Sequence, residues 1–225
     1  MAKKKTDRTE EQMQAVEGAL SKTEQFIEDN QKILTTIVTV IVIAVLGYFS
    51  YHKFYLNPKQ EEAQNQMFMA EKYFEQDSLE LALNGDGQYP GFLQIAEDYG
   101  MTKSGNLANY YTGVIYLKQG NYKKAIDYLE KFDGDETVVQ IWAIGKIGDA
   151  YMEMGEMDKA VDHYISAADH ENSFTAPHFL MKAGMTYELM DKPSKALSVY
   201  KKIKNEYPGS KEYKEIDKYI ARTES

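Results

Sequence analysis

The chain has 225 residues, with 26 Lys/Arg against 35 Asp/Glu, a net charge of −9, and no cysteine. The missing thiols exclude disulfides, thiolate metal sites and cysteine nucleophiles. The acidic balance argues against nucleic acid or anionic lipid surfaces as partners and serves solubility instead.

Residues 1–7 are basic and polar and read as unstructured. Thr9 with Gln12, and Ser21 with Glu24, fit capping boxes, and Met13, Val16 and Leu20 recur at helical spacing between them. This predicts a short amphipathic helix, then a second from about Lys22. The leader is either a partner or membrane-surface contact or a loosely ordered tail. Residues 33–51, ILTTIVTVIVIAVLGYFSY, then run 19 residues without a charge. At about 1.5 Å per residue that helix spans roughly 28 Å, the thickness of a bilayer core. Only a helix satisfies a lone segment's backbone in lipid. Ile33, Leu34, Ile37, Val40, Ile41, Ile43, Leu46 and Tyr48 are its expected membrane anchor, with Tyr48, Tyr51 and Tyr55 as an aromatic belt. The run is too long for a signal-peptide core, and residues 48–51 offer no small-x-small cleavage site.

The tail to Lys32 holds six Lys/Arg and seven Asp/Glu, leaving 20 and 28 in the rest. Only Lys53 and Lys59 stand close on the far side, so the positive-inside rule puts residues 1–32 in the cytoplasm and the large domain across the membrane.

Asn57-Pro58 reads as the end of the membrane helix, with Asn57 as N-cap of the next helix, Pro58 at its first position and Gln60 completing a capping box. Ala63, Met67, Ala70 and Phe74 follow at helical spacing. Asn84-Gly85-Asp86-Gly87 and Tyr89-Pro90-Gly91 are turn signals; they lack the residues of a calcium loop. Phe92, Ile95, Ala96 and Tyr99 mark a further helix stopped by Gly100.

From about Asn106 the chain repeats. Gly113, Gly148 and Gly184 are 35 and 36 apart; a tyrosine follows each by three (Tyr116, Tyr151, Tyr187) and an alanine by twelve (Ala125, Ala160, Ala196). Leu129, Tyr164 and Tyr200 come four later, and Pro208 closes the third copy. This order resembles the tetratricopeptide repeat, in which each copy is two antiparallel helices that bury their apolar faces only by stacking. The expected fold is therefore all-α: a single N-terminal transmembrane helix followed by a tetratricopeptide-repeat α-solenoid over 58–225. Its parts would be a degenerate unit (60–105, with Ala70, Tyr73 and Ala82 in register), repeats at about 106–140, 141–176 and 177–209, and a capping helix at 210–222 held by Ser210, with Tyr213, Ile216 and Ile220 inward. Each glycine would face its alanine so that the two helices approach.

By this register the first helix of each repeat presents to the concave side Leu107, Tyr110, Val114 and Leu117; then Trp142, Asp149 and Met152; then His178, Met181 and Met185. Aromatics give rigid contact area and methionines an adaptable one, suited to apolar stretches of varied polypeptides. For each, packing between helices is the alternative. No convergent charge cluster is expected among them. The four histidines fall in no metal-binding pattern, and no nucleophile elbow, P-loop or dinucleotide loop is present, so neither a metal, a cofactor nor an enzyme is implied.

Residues 20–26 (LSKTEQF), the apolar run after them, residues 82–87 (ALNGDG) and the repeats together resemble the YfgM-like family of membrane-anchored bacterial envelope proteins, in a form similar to that of Bacteroidetes-type bacteria. The resemblance implies an inner-membrane protein facing the periplasm, an ancillary subunit of the Sec translocon. Its implied partners are translocon subunits, a PpiD-type prolyl isomerase chaperone and unfolded secretory chains. A scaffold for another envelope complex is the alternative.

Overall fold

A computed structural model describes residues 24–135, 137–170 and 172–224. The chain divides into two units, Met1–Asn57 and Pro58–Ser225. The amphipathic helix expected around Met13, Val16 and Leu20 lies outside the described residues.

In the first unit, residues 24–29 are helical, followed by α1 (Gln31–Tyr51), in which no residue is buried. Ile33, Ile37, Val40, Ile41, Ile43, Leu46 and Tyr48 are exposed, and Leu34 is partly covered. Tyr51 stacks on Tyr55, with ring centroids 5.3 Å apart. The helix does not end at Asn57-Pro58. A π-turn, His52–Leu56, leads into α2 (Asn57–Glu75), and Asn57 is itself helical (φ −65, ψ −46). A proline inside a helix lacks its N–H and presses on the carbonyl four residues back. The π-turn, in which the Asn57 N–H reaches back to the His52 carbonyl, supplies the extra slack. Gln31–Glu75 is thus one 45-residue helical run, and it contains a stretch long and apolar enough to cross a membrane.

The second unit follows α2 with α3 (Leu79–Asn84), α4 (Phe92–Asp98), α5 (Lys103–Lys118), α6 (Tyr122–Lys131), α7 (Val138–Glu153), α8 (Met157–Ala168), α9 (Ala176–Leu189), α10 (Pro193–Glu206), a 3₁₀ turn (Glu212–Glu215) and α11 (Ile216–Thr223). From α5 to α10 each helix packs on the next, which is the stacking that a single amphipathic pair needs. The repeat shows in the turns as well as in the helices. The N–H of Asn121, Glu156 and Lys192 each bonds at 2.9 Å to the carbonyl of the repeat tyrosine, Tyr116, Tyr151 or Tyr187. The residue just before each donor is left-handed: Gly120, Gly155 and Asp191. These are Schellman closures. The same closure joins Ser78 to Tyr73, with Asp77 left-handed, so α2 ends as the first helix of each repeat does. Ala70 and Ala82 are fully buried.

The turn at residues 85–91 separates α3 from α4. Asp86 organises it: its carboxylate accepts from the backbone N–H of Gln88 and Tyr89 and from the Tyr73 hydroxyl at 2.7 Å. Gln60 does not cap its own helix. Its side-chain oxygen accepts from the N–H of Lys103 at 2.7 Å, and its amide donates to Ser104 Oγ at 2.7 Å, so it closes the N-terminus of α5 from 43 residues away. At the far end Ser210 Oγ accepts from the Tyr213 N–H, and Ile216 is buried, closing the stack. Tyr213 points outward instead, 37% exposed, because the 3₁₀ turn shifts it off the inner face.

Candidate functional site

The first helices of the repeats, α5, α7 and α9, contribute to two depressions in the surface. The first holds about 450 Å³ and is lined by Leu117, Tyr122, Asp149, Met152, Glu153, Tyr164 and Lys182. Asp149 is its hub. One carboxylate oxygen accepts from Lys182 Nζ at 2.6 Å and from the Tyr164 hydroxyl at 2.8 Å. Burial and the Asp149 charge push the Tyr164 phenol far above its ordinary value, so it stays a donor. Lys146, one turn before Asp149, is half-buried. Burial pulls its ammonium below the ordinary value, and the Lys182 and Lys118 charges add to this while Asp149 offsets part of it.

The second depression, about 330 Å³, is formed by Trp142, Ser173, Phe174, His178 and residues 209–212. Gly145 makes room for the Phe179 ring behind it. A Cβ there would fall inside the Phe179 ring, so α7 and α9 approach with that ring between them. Trp142 stands edge-on to Phe179 at 5.3 Å and lies 5.3 Å from the His178 ring. Burial, followed by the Lys182 charge, lowers the His178 pKa, which leaves the imidazole neutral at pH 7.

Family profiles described as tetratricopeptide repeat match residues 107–133, 143–174 and 179–210. These three stretches are tetratricopeptide repeats. No curated protein matches the chain. Among solved structures, a kinesin-light-chain-type protein of Podosopora anserina with nearly identical TPR-like repeats is similar at a TM-score of 0.53 and 14% identity, over 73% of this chain and 85% of that one. MamA is similar at 0.51 and 19%, over 68% and 91%. Both likenesses are of fold. A tetratricopeptide solenoid is a protein-interaction module and typically a non-catalytic one.

Within these repeats the expected groove residues separate. Leu117, Asp149 and Met152 meet in the first depression and Trp142 and His178 in the second. Met185 is 45% exposed, and Met181 is partly buried against the core. Leu107 and Tyr110 are half-buried beside Phe132, and burial raises the Tyr110 phenol pKa. Val114 is not on the groove at all; it is 6% exposed and packs with Ile126, Leu129 and Ile147, because α5 turns that face toward α6 and α7.

The expectation that no charges converge in the groove also fails. Lys146 and Lys182 each stand two residues before a repeat glycine, and that shared position carries them to Asp149. The spacing was readable; the pairing needed the fold. Phe174 and Glu212 lie in connections outside the repeat register, where no periodic signal marks them. Among the described residues no group of three or more His, Asp or Glu side chains could hold a metal.

Proposed function

We propose that this chain is a membrane-anchored protein-binding module of the bacterial inner membrane, with its solenoid in the periplasm, acting as an ancillary subunit of the Sec translocon beside a PpiD-type prolyl isomerase chaperone and handling secretory chains. One observation carries the reading. An apolar span and a tetratricopeptide solenoid occur in one chain, and the solenoid displays half-exposed Tyr110, Leu117, Trp142, Met152 and Met181 and exposed Met185 along its first helices. A single anchor would hold such a surface where exported polypeptides emerge, and tethering raises its effective concentration, so weak contacts suffice. The resemblance of residues 20–26 and 82–87 to the YfgM-like family supplies the partner.

The test places a photo-crosslinking residue at Trp142 and another at Tyr48 in cells. The expected products are translocating chains or the isomerase from Trp142, and translocon subunits from Tyr48. Capture at Trp142 of one folded protein from another envelope complex, with no Sec component copurifying, would instead make the chain a scaffold for that complex.

A further inference from the structure

We infer that the depression at Trp142 receives a positively charged side chain, arginine or lysine, of the bound polypeptide. The inference rests on the protein-binding reading above and names what that surface selects.

The walls are aromatic. Trp142 and His178 lie 5.3 Å apart at 47°, and Phe174 stands 75% exposed on the connection before α9, an orientation that costs apolar hydration while nothing covers it. The floor is acidic. The Glu212 side chain is only 17% exposed, and its nearest cationic candidate is His178 Nδ1 at 3.8 Å. That is too long for a hydrogen bond, and the imidazole is neutral at pH 7 for the reasons given. Among the described residues, therefore, no cation pairs with this carboxylate. Lys182 is engaged by Asp149. Lys211, at the rim, is itself exposed and carries its ammonium on a flexible stem that can swing into water.

A guanidinium or ammonium entering here would meet ring faces on its flat or apolar sides and a carboxylate at its tip. A neutral apolar side chain would gain the rings but leave Glu212 further desolvated and unpaired. The space, about 330 Å³, admits one long side chain and no folded element.

Trp142 is the only tryptophan of the chain, so its emission reports on this depression directly. The full chain in detergent micelles is titrated with four acetylated and amidated peptides, identical except for a central arginine, lysine, citrulline or norleucine. Arginine and lysine peptides should shift Trp142 emission and bind about tenfold tighter than the other two. Glu212→Gln should bring all four to similar affinity. Phe174→Ala, at an exposed site that tolerates truncation, should weaken the arginine peptide several-fold, whereas Asp127→Asn on an outer helix face should keep the preference. Equal binding of citrulline and arginine, or a preference that survives in Glu212→Gln, overturns the inference and leaves the protein-binding reading intact. Failure of all four peptides to bind removes both.

Discussion

Gly148 and Tyr164 pack so closely that a Cβ on the glycine would lie 2.7 Å from Cε1 of the ring. The same relation joins Gly184 to Tyr200, at 2.3 Å, and Gly113 to Leu129, at 2.6 Å. The repeat glycine thus makes space chiefly for the large residue one turn beyond the alanine; the alanine's carbonyl comes next for Gly148 (Ala160 O, 3.1 Å) and Gly113 (Ala125 O, 3.0 Å). Tyr164 cannot yield freely, since its hydroxyl is tied to Asp149. Gly148→Leu should therefore force α7 and α8 apart and cost about 1–3 kcal/mol or more. Thermal unfolding of the full chain in detergent, followed by circular dichroism, should show a lower Tm. An unchanged Tm would mean that the ring can move aside.

Lys124 is a sharper comparison than an ordinary surface lysine. It stands immediately before the repeat alanine with its ammonium 5.0 Å from the Tyr116 ring centre, and Lys159 and Lys195 repeat this over Tyr151 and Tyr187 at 4.9 and 5.5 Å. An exposed cation–π pair contributes about 0.5–1 kcal/mol. Lys124→Ala should thus lower stability measurably but by less than Gly148→Leu. A larger loss for the lysine than for the glycine would reverse this ranking.

Gln60 reaches across 43 residues to the first amides of α5. Losing an N-terminal cap costs about 0.5–2 kcal/mol. Gln60→Ala should lower Tm and speed hydrogen exchange at Lys103 and Ser104. Gln60→Glu, which keeps the acceptor, should restore protection at Lys103. Protection unaltered in Gln60→Ala would show that solvent serves these amides equally well.

His163 stacks on Tyr151, 5.3 Å away and nearly parallel. Burial lowers its pKa below the ordinary 6.5, and the charges of Glu130 and Asp162 offset only part of that. The unfolded chain therefore takes up a proton more readily than the folded one. The stability linked to this group is complete above about pH 6.5 and is lost as pH falls below it toward the lowered folded value. Between pH 7.5 and 5.5 the Tm of the parent should fall more steeply than that of His163→Phe. Parallel slopes would remove His163 from the acid response.

Much of the solenoid was legible because its physics is periodic. Glycine, tyrosine and alanine recur where backbones must approach, and each left-handed turn residue recurs with them. What escaped lies off the period. The helix continues through Pro58 because a π-turn upstream absorbs the proline, and nothing local in Asn57-Pro58 announces this. Gln60 resembles a cap for its own helix because a sequence shows only neighbours in the chain. Val114 follows the groove register but is buried, since a register fixes an angle around the helix and not what stands opposite. Most of the aromatic depression comes from connections, Phe174 and Glu212 among them, that the helical period does not mark.

The proposed orientation admits a direct test because the chain has no cysteine. Charge and length both favour that orientation. Lys3, Lys4, Lys5, Arg8, Lys22 and Lys32 lie in a short tail, where basic residues resist translocation, while the acidic domain after the span is long enough to cross regardless of its charges. Of those six only Lys22 and Lys32 lie near the apolar run, with Lys53 and Lys59 on the other side, so the bias comes from the whole tail more than from the flanks. Ser225→Cys and Thr6→Cys are made separately. Intact cells with a permeabilised outer membrane are then treated with a thiol reagent that cannot cross the inner membrane. Labelling should appear for Ser225→Cys alone, and Thr6→Cys should react only after the inner membrane is dissolved. Labelling of Thr6→Cys alone would put the solenoid in the cytoplasm and withdraw the secretory-chain reading. Labelling of both in intact cells would mean that the apolar helix lies along the membrane or outside it and does not span it.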